Sequence, residues 1–298
     1  MAPKQAGGPV RRQTASPAET DPARVVDILE PLVTPERARR MRDVLATRTR
    51  HVAFVFERMI DPHNLSAALR SLDAFSFQKV HLVHPGERLY GEEGEEATSK
   101  ADGSKNGANA GREPTEQGSS REAGSGRRHG LSRGITIGAD KWLSVEVARD
   151  TPACFATLRA QGYRILASHL GHGVPAIPLQ EVDLAQPTAL VFGNEHLGVS
   201  DEVLADADAC FRIPMGGFAQ SLNLSVAVAV SAWQARRELA RLARVGNNGE
   251  DIAEGGGSAT DNLGRFALTP EEQTALLAHW LRGTVRNAEG ILAGSMPG

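Results

Sequence analysis

The stretch from Arg212 to Val230, RIPMGGFAQSLNLSVAVAV, has the residue types and spacing best suited to hold a ligand. A short apolar run ends in the pair Gly216 and Gly217, which permits backbone angles closed to other residues. Ser221 and Asn223 suit the start of the apolar helix that follows. A glycine turn that leads into a helix brings backbone N–H donors together, although this one lacks the usual phosphate-binding signatures. The stretch therefore predicts the floor of a site for a polar ligand other than a phosphate.

Glu195 is a second candidate, because it follows the apolar run from Thr188 to Phe192 after a short turn. Ligands of open parallel sheets bind at the carboxyl ends of the strands, so a carboxylate at this point is a functional candidate. A helix-dipole role or a structural salt bridge explains the same residue nearly as well. Ser200 is predicted to cap the helix that comes next.

Alternating strands and helices predict a parallel α/β sheet that positions these residues. The run from Val52 to Phe56 has the composition of a central strand covered on both faces, and Lys79 to His84 forms a second strand. Between them we predict a helix that Asn64 caps and that carries Arg70. Further strands are expected within 135–147, 163–170, 188–192 and 210–215. Repeated strand–helix–strand units favour a parallel arrangement.

The segment GHGVPA, residues 171–176, matches the G-x-G-x-x-G/A pattern of dinucleotide-binding proteins letter for letter. That pattern requires a helix to begin on the glycines, whereas Pro175 and Pro178 interrupt its first turns. We therefore predict a loop. His169 and His172 lie in the same region, but two histidines without a nearby set of carboxylates or thiols are weak evidence, and no metal site is predicted.

The composition indicates ordered blocks separated by polar connectors. The chain has 298 residues, of which 41% are hydrophobic, as is ordinary for a globular core. From the N-terminus we predict a disordered tail (1–21), a basic helical extension (22–50) and an α/β domain (51–245) that contains a disordered insertion at 91–133. A linker (246–264) and a C-terminal amphipathic helix with its tail (265–298) follow. For the insertion, a tolerated surface loop is favoured over a tail that binds nucleic acid. Thr269, Pro270 and Glu272 predict a capped start for the C-terminal helix.

Charge limits the classes of partner. The net charge of −3 gives no global argument for nucleic-acid binding, which must rest on local basic surfaces. One such surface is a predicted helix that begins at Thr34 and Pro35, whose candidate RNA-binding residues are Arg37, Arg39, Arg40, Arg42 and Arg48. A solvated helix face explains these arginines as well as an RNA-contacting patch does.

Cysteine usage and hydropathy bear on the compartment. Cys154 and Cys210 have no paired spacing, so neither a disulfide framework nor a cysteine-based zinc site is expected. No apolar run is long enough to span a bilayer, and no apolar signal region follows the N-terminal residues. We therefore expect a cytoplasmic protein without a membrane partner.

Three segments, taken together and in this order, resemble the motifs of the SpoU-type RNA 2'-O-methyltransferases of the knotted α/β class. The first is NLSAALR at 64–70 and the second is LVFGNE at 190–195, followed by Gly198. The third combines IPM at 213–215 with QSLNLSV at 220–226. The likeness spans about residues 37–244 and is closest to the TrmH group, which acts on the D-loop guanosine of tRNA.

The resemblance implies a deep C-terminal trefoil knot that forms a pocket for S-adenosyl-L-methionine. It implies cofactor contacts from Ser168, Gly193, Ile213 and Leu222. It implies a catalytic group made of Asn64, Arg70, Glu195, Ser221 and Asn223. It also implies a homodimer in which Arg70 of one subunit completes the site of the other.

Two alternatives stay open at this point. The family proposal makes Arg70 the base that removes the proton of the ribose 2'-hydroxyl, but a guanidinium group stays protonated at neutral pH, which favours a phosphate anchor. The short helical N-terminal part favours tRNA, with methylation of guanosine 18, as the substrate. The other interpretations are a ribosomal RNA 2'-O-methyltransferase and a non-catalytic RNA-binding protein on the same scaffold.

Overall fold

The computed structural model describes residues 21–59, 61–83, 141–171, 173–244 and 263–295. The predicted insertion at 91–133, and nearly all of the predicted tail and linker, lie outside the described residues. The chain divides into two compact units. The helical unit consists of Met1–Arg48 together with Ala267–Gly298, and the sheet unit is Thr49–Phe266.

The helices and strands are numbered here in chain order. The helices are α1 (Pro22–Leu29), α2 (Pro35–Thr47), α3 (Pro62–Ala74), α4 (Thr151–Ala160), α5 (Asp201–Asp206), α6 (Leu224–Arg244), α7 (Pro270–Thr284) and α8 (Ala288–Gly294). The strands are β1 (Thr49–Glu57), β2 (Phe77–Val83), β3 (Ser144–Ala148), β4 (Arg164–Ser168), β5 (Ala176–Pro178), β6 (Thr188–Phe192) and β7 (Ala209–Arg212). Short 3-10 turns occur at Glu30–Leu32, Leu179–Glu181 and Gly264–Phe266.

The seven strands form one sheet in the order β3-β2-β1-β6-β4-β7-β5. Every neighbouring pair of strands is parallel. The prediction of a parallel α/β sheet is therefore confirmed. Because β6 lies between β1 and β4, the segments that follow these three strands begin side by side at one edge of the sheet.

Alternation along β1 explains why helices cover both faces of the sheet. Ala53 and Val55 pack in a buried cluster with Phe155 of α4. Phe54 points to the other face and is in register with Leu190 of β6, which lies beside α6. On that second face α6 also packs against α3. The continuous apolar run of β1 thus reflects burial on both sides, as expected of a central parallel strand.

The start of α3 differs from the prediction. The side chain of Asp61 caps the helix by accepting a hydrogen bond of 2.8 Å from the backbone N–H of His63, and Pro62 occupies the first turn. The expectation that Asn64 caps this helix is therefore wrong. A proline at the first helical position tolerates the loss of an N–H, so the Asp-Pro pair is the stronger start signal. The side chain of Asn64 remains available for other hydrogen bonds.

The predicted loop at GHGVPA is confirmed, with His172 outside the described residues. Gly171 and Gly173 have φ angles of 88° and 74°, which are accessible mainly to glycine, and no helix begins there. The short strand β5 follows instead. A loop at residues 173–175 and the strand β5 occupy the positions where the dinucleotide-binding pattern needs a helix. The predicted cause holds, because proline cannot donate the backbone hydrogen bonds that a helix needs.

The helical unit combines the N-terminal and C-terminal helices, with α7 packed against α1 and α2. The predicted capping box is confirmed, because Thr269 Oγ1 accepts from the N–H of Glu272, and Glu272 Oε2 accepts from the N–H of Thr269. The predicted apolar stripe of α7 is buried and consists of Leu276, Leu277, Trp280 and Leu281. Within the described ranges, no helix combines the length and the apolar character needed to cross a membrane.

The arginines of α2 and of its C-cap residue, Arg48, occupy three kinds of environment. Arg37, Arg39 and Arg40 are exposed. Arg42 is paired with Glu30, with its Nε 2.7 Å from Glu30 Oε1, and this hydrogen bond raises the pKa of the arginine. Arg48 is only 1% exposed, and its guanidinium lies 5.5 Å from the ring centroid of Trp280. The expectation that Arg48 contacts RNA is therefore wrong, because a side chain buried against α7 cannot reach a phosphate.

A buried histidine makes the stability of the sheet unit depend on pH. His81 on β2 is 2% exposed and lies 3.6 Å from Glu146 of β3, with Lys79 nearby. Burial lowers the pKa of His81 to about 4, against the opposing influence of Glu146. The unfolded chain binds this proton below a pH of about 6.5, and the folded chain does so only near pH 4. Stability should therefore fall as the pH drops through this window.

We expect acidification from pH 7.5 to pH 5 to lower the melting temperature of wild type more than that of His81→Gln. The histidine contributes up to about 3 kcal/mol of free energy of unfolding across the whole window from pH 6.5 to 4. Circular dichroism melts at several pH values measure the difference. The control is His63→Gln, which changes an exposed histidine of α3 and should follow wild type. Parallel curves for wild type and His81→Gln would contradict the assignment.

Candidate active site

The three segments predicted to carry chemistry begin at the same edge of the sheet. The turn after β1 leads into α3, the turn after β6 carries Glu195, and the segment after β7 leads into α6. Because all strands are parallel, their carboxyl ends meet at this edge, where ligands of such sheets bind. Ser168, at the end of β4 between β6 and β7, is half-buried there.

A chain of hydrogen bonds joins all three segments. Asn223 Nδ2 donates to Asn64 Oδ1 at 3.0 Å, and Asn64 Nδ2 donates to Glu195 Oε1 at 3.1 Å. Among the described residues, Glu195 Oε2 has no hydrogen-bond partner. The arrangement therefore orients the carboxylate through the amide of Asn64, which Asn223 holds in turn, and leaves one carboxylate oxygen available to a ligand.

Asn223 also begins α6. Its Oδ1 accepts hydrogen bonds from the backbone N–H of Ser225 at 2.9 Å and from Ser225 Oγ at 2.6 Å. The prediction that Asn223 suits a helix start is confirmed, and the same side chain serves the helix and the site. Ser221 is exposed and is not hydrogen-bonded to any other residue that the structure describes.

The turn from Gly193 to Ser200, called the β6 turn below, is tightly closed. Asn194 and Gly198 exchange two backbone hydrogen bonds of 2.9 Å, and Asn194 Oδ1 accepts from the N–H of His196 at 2.8 Å. A Cβ atom on Gly193 would lie 2.1 Å from the backbone carbon of Gly198, so only glycine fits. Gly198 has a φ angle of 71°, which glycine adopts without strain.

Arg70 is not part of the hydrogen-bonded chain. It is exposed on α3, and within the described part of the chain its guanidinium has no hydrogen-bond or ion-pair partner. It follows Asn64 by six residues, about 1.7 helical turns, so it leaves the helix on a different side. The structure thus brings together Asn64, Glu195 and Asn223 but not Arg70.

Two residues that the sequence reasoning missed support the β6 turn. Glu57 ends β1 and is 1% exposed, and Ser200 donates to it through both its backbone N–H and its hydroxyl. From the sequence, Ser200 was predicted only to cap α5, and the structure confirms that function as well. The missed signal is the charged residue at the end of the otherwise apolar run VAFVFE, since a carboxylate buried at a strand end needs partners.

Comparisons with known proteins give the chain its family. A model described as the SpoU rRNA Methylase family matches residues 126–233. The tRNA (guanosine(18)-2'-O)-methyltransferase of Thermus thermophilus is 31% identical over 249 residues, which cover 84% of this chain and 97% of that protein. The Escherichia coli K12 protein of the same name is 31% identical over 206 residues, which cover 69% and 72%. The chain belongs to the SpoU methylase family.

The fold agrees with that of a SpoU methylase. The crystal structure of the Aquifex aeolicus TrmH/SpoU tRNA modifying enzyme matches with a TM-score of 0.57 and 25% sequence identity. The match covers 85% of this chain and 98% of that chain. The resemblance drawn from the three motifs is therefore confirmed.

A SpoU methylase needs a methyl donor, and the segment after β7 fits a bound S-adenosyl-L-methionine. Residues 214–222 are all exposed, and none of them is hydrogen-bonded to another described residue, so their N–H and C=O groups can bond to an adenine ring. Met215 and Leu222 expose apolar surface on this segment, and Leu197 does so on the β6 turn. Ile213 is half-buried beside them. Backbone polar groups next to apolar side chains suit an adenosine, which carries both kinds of surface.

The described residues contain no group of three or more histidine, cysteine or acidic side chains that could hold a metal ion. Cys154 and Cys210 are both buried, and burial raises the pKa of the Cys154 thiol to about 12. A thiol that stays protonated is a poor nucleophile and a poor metal ligand.

Proposed function

We propose that this protein is an S-adenosyl-L-methionine-dependent tRNA (guanosine-2'-O)-methyltransferase that methylates the ribose of guanosine 18 in the D-loop. The observation that carries the proposal is the hydrogen-bonded chain of Asn223, Asn64 and Glu195, which connects all three motif segments at one sheet edge. Support for the tRNA substrate comes from relatives of that name that match 84% and 69% of the chain. A protein acting on tRNA belongs in the cytoplasm, where we place it.

The methyl donor is held by Ser168, Gly193, Ile213 and Leu222. When bound, S-adenosyl-L-methionine supplies an electrophilic methyl group on a positively charged sulfur. The close approach of the backbone at Gly193 supports its assignment, since a side chain there would fill the turn. The unpaired backbone groups of residues 214–222 supply hydrogen bonds to the adenine.

The substrate side is formed by the polar chain together with Arg70 and Ser221. The unpartnered Glu195 Oε2 accepts a hydrogen bond from the guanosine, and Asn64 fixes the orientation of that carboxylate. The exposed guanidinium of Arg70 binds the phosphate next to the reacting ribose by two parallel hydrogen bonds. Orientation of the 2'-oxygen toward the methyl group then supplies much of the rate, and the phosphate or a water molecule accepts the proton.

The active form is a homodimer. Val226, Val230 and Trp233 stand at helical spacing on α6 and are 47%, 36% and 49% exposed. Phe218 is fully exposed in the segment that precedes this helix. An apolar stripe of this kind is typical of a helix that packs against a partner. In the dimer, Arg70 of one subunit completes the site of the other, which accounts for its position away from the polar chain.

Two further parts of the proposal concern topology and RNA binding. The family relationship supports a deep trefoil knot formed by the segments around β6, β7 and α6. The exposed arginines of α2 support an RNA-binding surface, which consists of Arg37, Arg39 and Arg40 with Arg42 at its margin. Several unpaired arginines close together bind phosphates without reading sequence.

Labelled S-adenosyl-L-methionine and unmodified transcripts test the function. We expect label in a tRNA transcript and none in a matched transcript whose guanosine 18 carries a 2'-deoxyribose, which has no 2'-oxygen to accept the methyl group. Nuclease digestion then maps the methylated nucleotide to position 18. Label in ribosomal RNA but not in tRNA would replace the proposed substrate. Absence of label from both would favour a non-catalytic RNA-binding protein.

A further inference from the structure

A buried carboxylate supports the β6 turn from below. Glu57 is the last residue of β1 and is 1% exposed, although it lies at the sheet edge where the site is open to solvent. Burying an ionised carboxylate is costly unless hydrogen bonds compensate for its lost hydration. The position of Glu57 therefore depends on the groups that donate to it.

Both carboxylate oxygens of Glu57 accept hydrogen bonds from one residue of the β6 turn. Glu57 Oε2 accepts from the backbone N–H of Ser200 at 2.9 Å, and Glu57 Oε1 accepts from Ser200 Oγ at 2.5 Å. Ser200 Oγ in turn caps α5 by accepting from the N–H of Val203 at 3.3 Å. The carboxylate thus holds the end of the turn at the point where α5 begins.

The residue after Glu57 holds the other end of the same turn. Asn194 Nδ2 donates to the backbone carbonyl of Arg58 at 3.1 Å. Arg58 has a φ angle of 53°, which is unfavourable for a residue with a side chain, and its N–H donates to Val83 of β2. Its guanidinium Nε lies 3.8 Å from Glu57 Oε1. Glu57 and Arg58 therefore connect the end of β1 to both ends of the β6 turn.

We propose that Glu57 is a positioning residue for S-adenosyl-L-methionine, which acts by holding the β6 turn in its binding-competent shape. This inference rests on the proposed function, in which Gly193 contacts the methyl donor. The hydrogen bonds between Asn194 and Gly198 close the middle of the turn, and the bonds to Glu57 hold its end at Ser200. Ser200 donates both its N–H and its hydroxyl to Glu57, so loss of this acceptor releases the turn at Ser200.

Glu57→Ala is expected to weaken binding of S-adenosyl-L-methionine about tenfold or more, because the N–H and hydroxyl of Ser200 lose their shared acceptor. Affinity for the tRNA transcript should stay within about twofold, since Glu57 is buried and cannot touch RNA. Isothermal titration calorimetry with S-adenosyl-L-methionine alone, well below the melting temperature, measures the first effect. Filter binding measures the second.

Two further variants separate positioning from general stability. In Glu57→Gln the amide oxygen accepts from the N–H of Ser200 and the amide nitrogen donates to its hydroxyl, so affinity should return to within about threefold of wild type. The matched control is Asp208→Ala, at the opposite edge of the sheet, where the carboxylate accepts from the N–H of Ile165 at 2.6 Å. This control should lower the melting temperature and leave the affinity for S-adenosyl-L-methionine unchanged.

The outcomes distinguish this inference from the proposed function. If Glu57→Ala melts earlier but binds S-adenosyl-L-methionine as wild type does, Glu57 is only structural and the inference is overturned. If Glu57→Ala does not fold, Ser200→Ala decides, because it removes one of the two hydrogen bonds and should weaken binding about threefold or more. Unchanged affinity in Ser200→Ala would count against the inference. A folded wild type that does not bind S-adenosyl-L-methionine would overturn the proposed function itself.

Discussion

Arg70→Ala is expected to abolish methyl transfer while affinity for S-adenosyl-L-methionine stays within about twofold of wild type. The rate should fall about a thousandfold or more, because the substrate phosphate loses a bidentate partner and the 2'-oxygen loses its alignment. The exposed, unpaired guanidinium is the observation behind this expectation. Single-turnover transfer of labelled methyl to tRNA measures the rate, and calorimetry measures the affinity.

Arg149→Ala is the control for Arg70→Ala, since Arg149 is an exposed arginine of the sheet unit on a loop after β3. Its transfer rate should match wild type. Loss of S-adenosyl-L-methionine affinity in Arg70→Ala would refute the assignment to the substrate side. Arg70→Lys distinguishes a phosphate anchor from a catalytic base. If Arg70 anchors the phosphate, the lysine variant should keep a residual transfer rate that falls with added salt. If Arg70 is the base, the rate of the lysine variant should rise as the lysine amine loses its proton.

Val230→Asp is expected to convert the proposed homodimer to monomers and to lower the transfer rate at least about a hundredfold. A carboxylate in the middle of an apolar interface is desolvated without a partner, which costs several kcal/mol of association free energy. The affected surface is the stripe of Val226, Val230 and Trp233 on α6. Sedimentation velocity measures the oligomeric state, and the tRNA assay measures the rate.

Leu32→Asp is the matched control for Val230→Asp, because Leu32 is a 54% exposed apolar side chain of the helical unit and lies off the stripe. This variant should remain a dimer. A monomeric wild type, or an active monomer of Val230→Asp, would contradict the proposal.

A mixture of Arg70→Ala with Glu195→Ala tests the shared site further. If Arg70 completes the partner's site, each heterodimer regains one intact site, whereas no activity returns if both residues act within one subunit.

Several elements could be predicted from the sequence because their signals are local. The strand β6 occupies the predicted residues 188–192, since a threonine and four apolar residues between turn signals permit little else. Pro175 and Pro178 excluded a helix at GHGVPA, and Thr269 with Glu272 marked the start of α7. In each case the deciding residues are within a few positions of the element they define. Local sequence was therefore sufficient to predict these three elements.

Other features could not be predicted, because they depend on neighbours that are distant in sequence. Arg48 was grouped with the exposed arginines of α2, yet it is covered by Trp280 of α7. A charge pattern on one helix does not reveal which face another helix will bury. The function of Glu57 was missed for the same reason, since its donor Ser200 is 143 residues away.

The sequence by itself determined most of the strands and helices, the three motif segments and the residue types available for chemistry. It placed Asn64, Glu195 and Asn223 in the segments that follow strands, where a parallel sheet gathers its ligand-binding groups. Only the tertiary structure decided that these three side chains form one hydrogen-bonded chain while Arg70 stands apart. Asn64 bonds to partners 131 and 159 residues away. Such bonds depend on strand order and on the rotation of each helix about its axis, which are set by packing of the whole core and not by any local pattern.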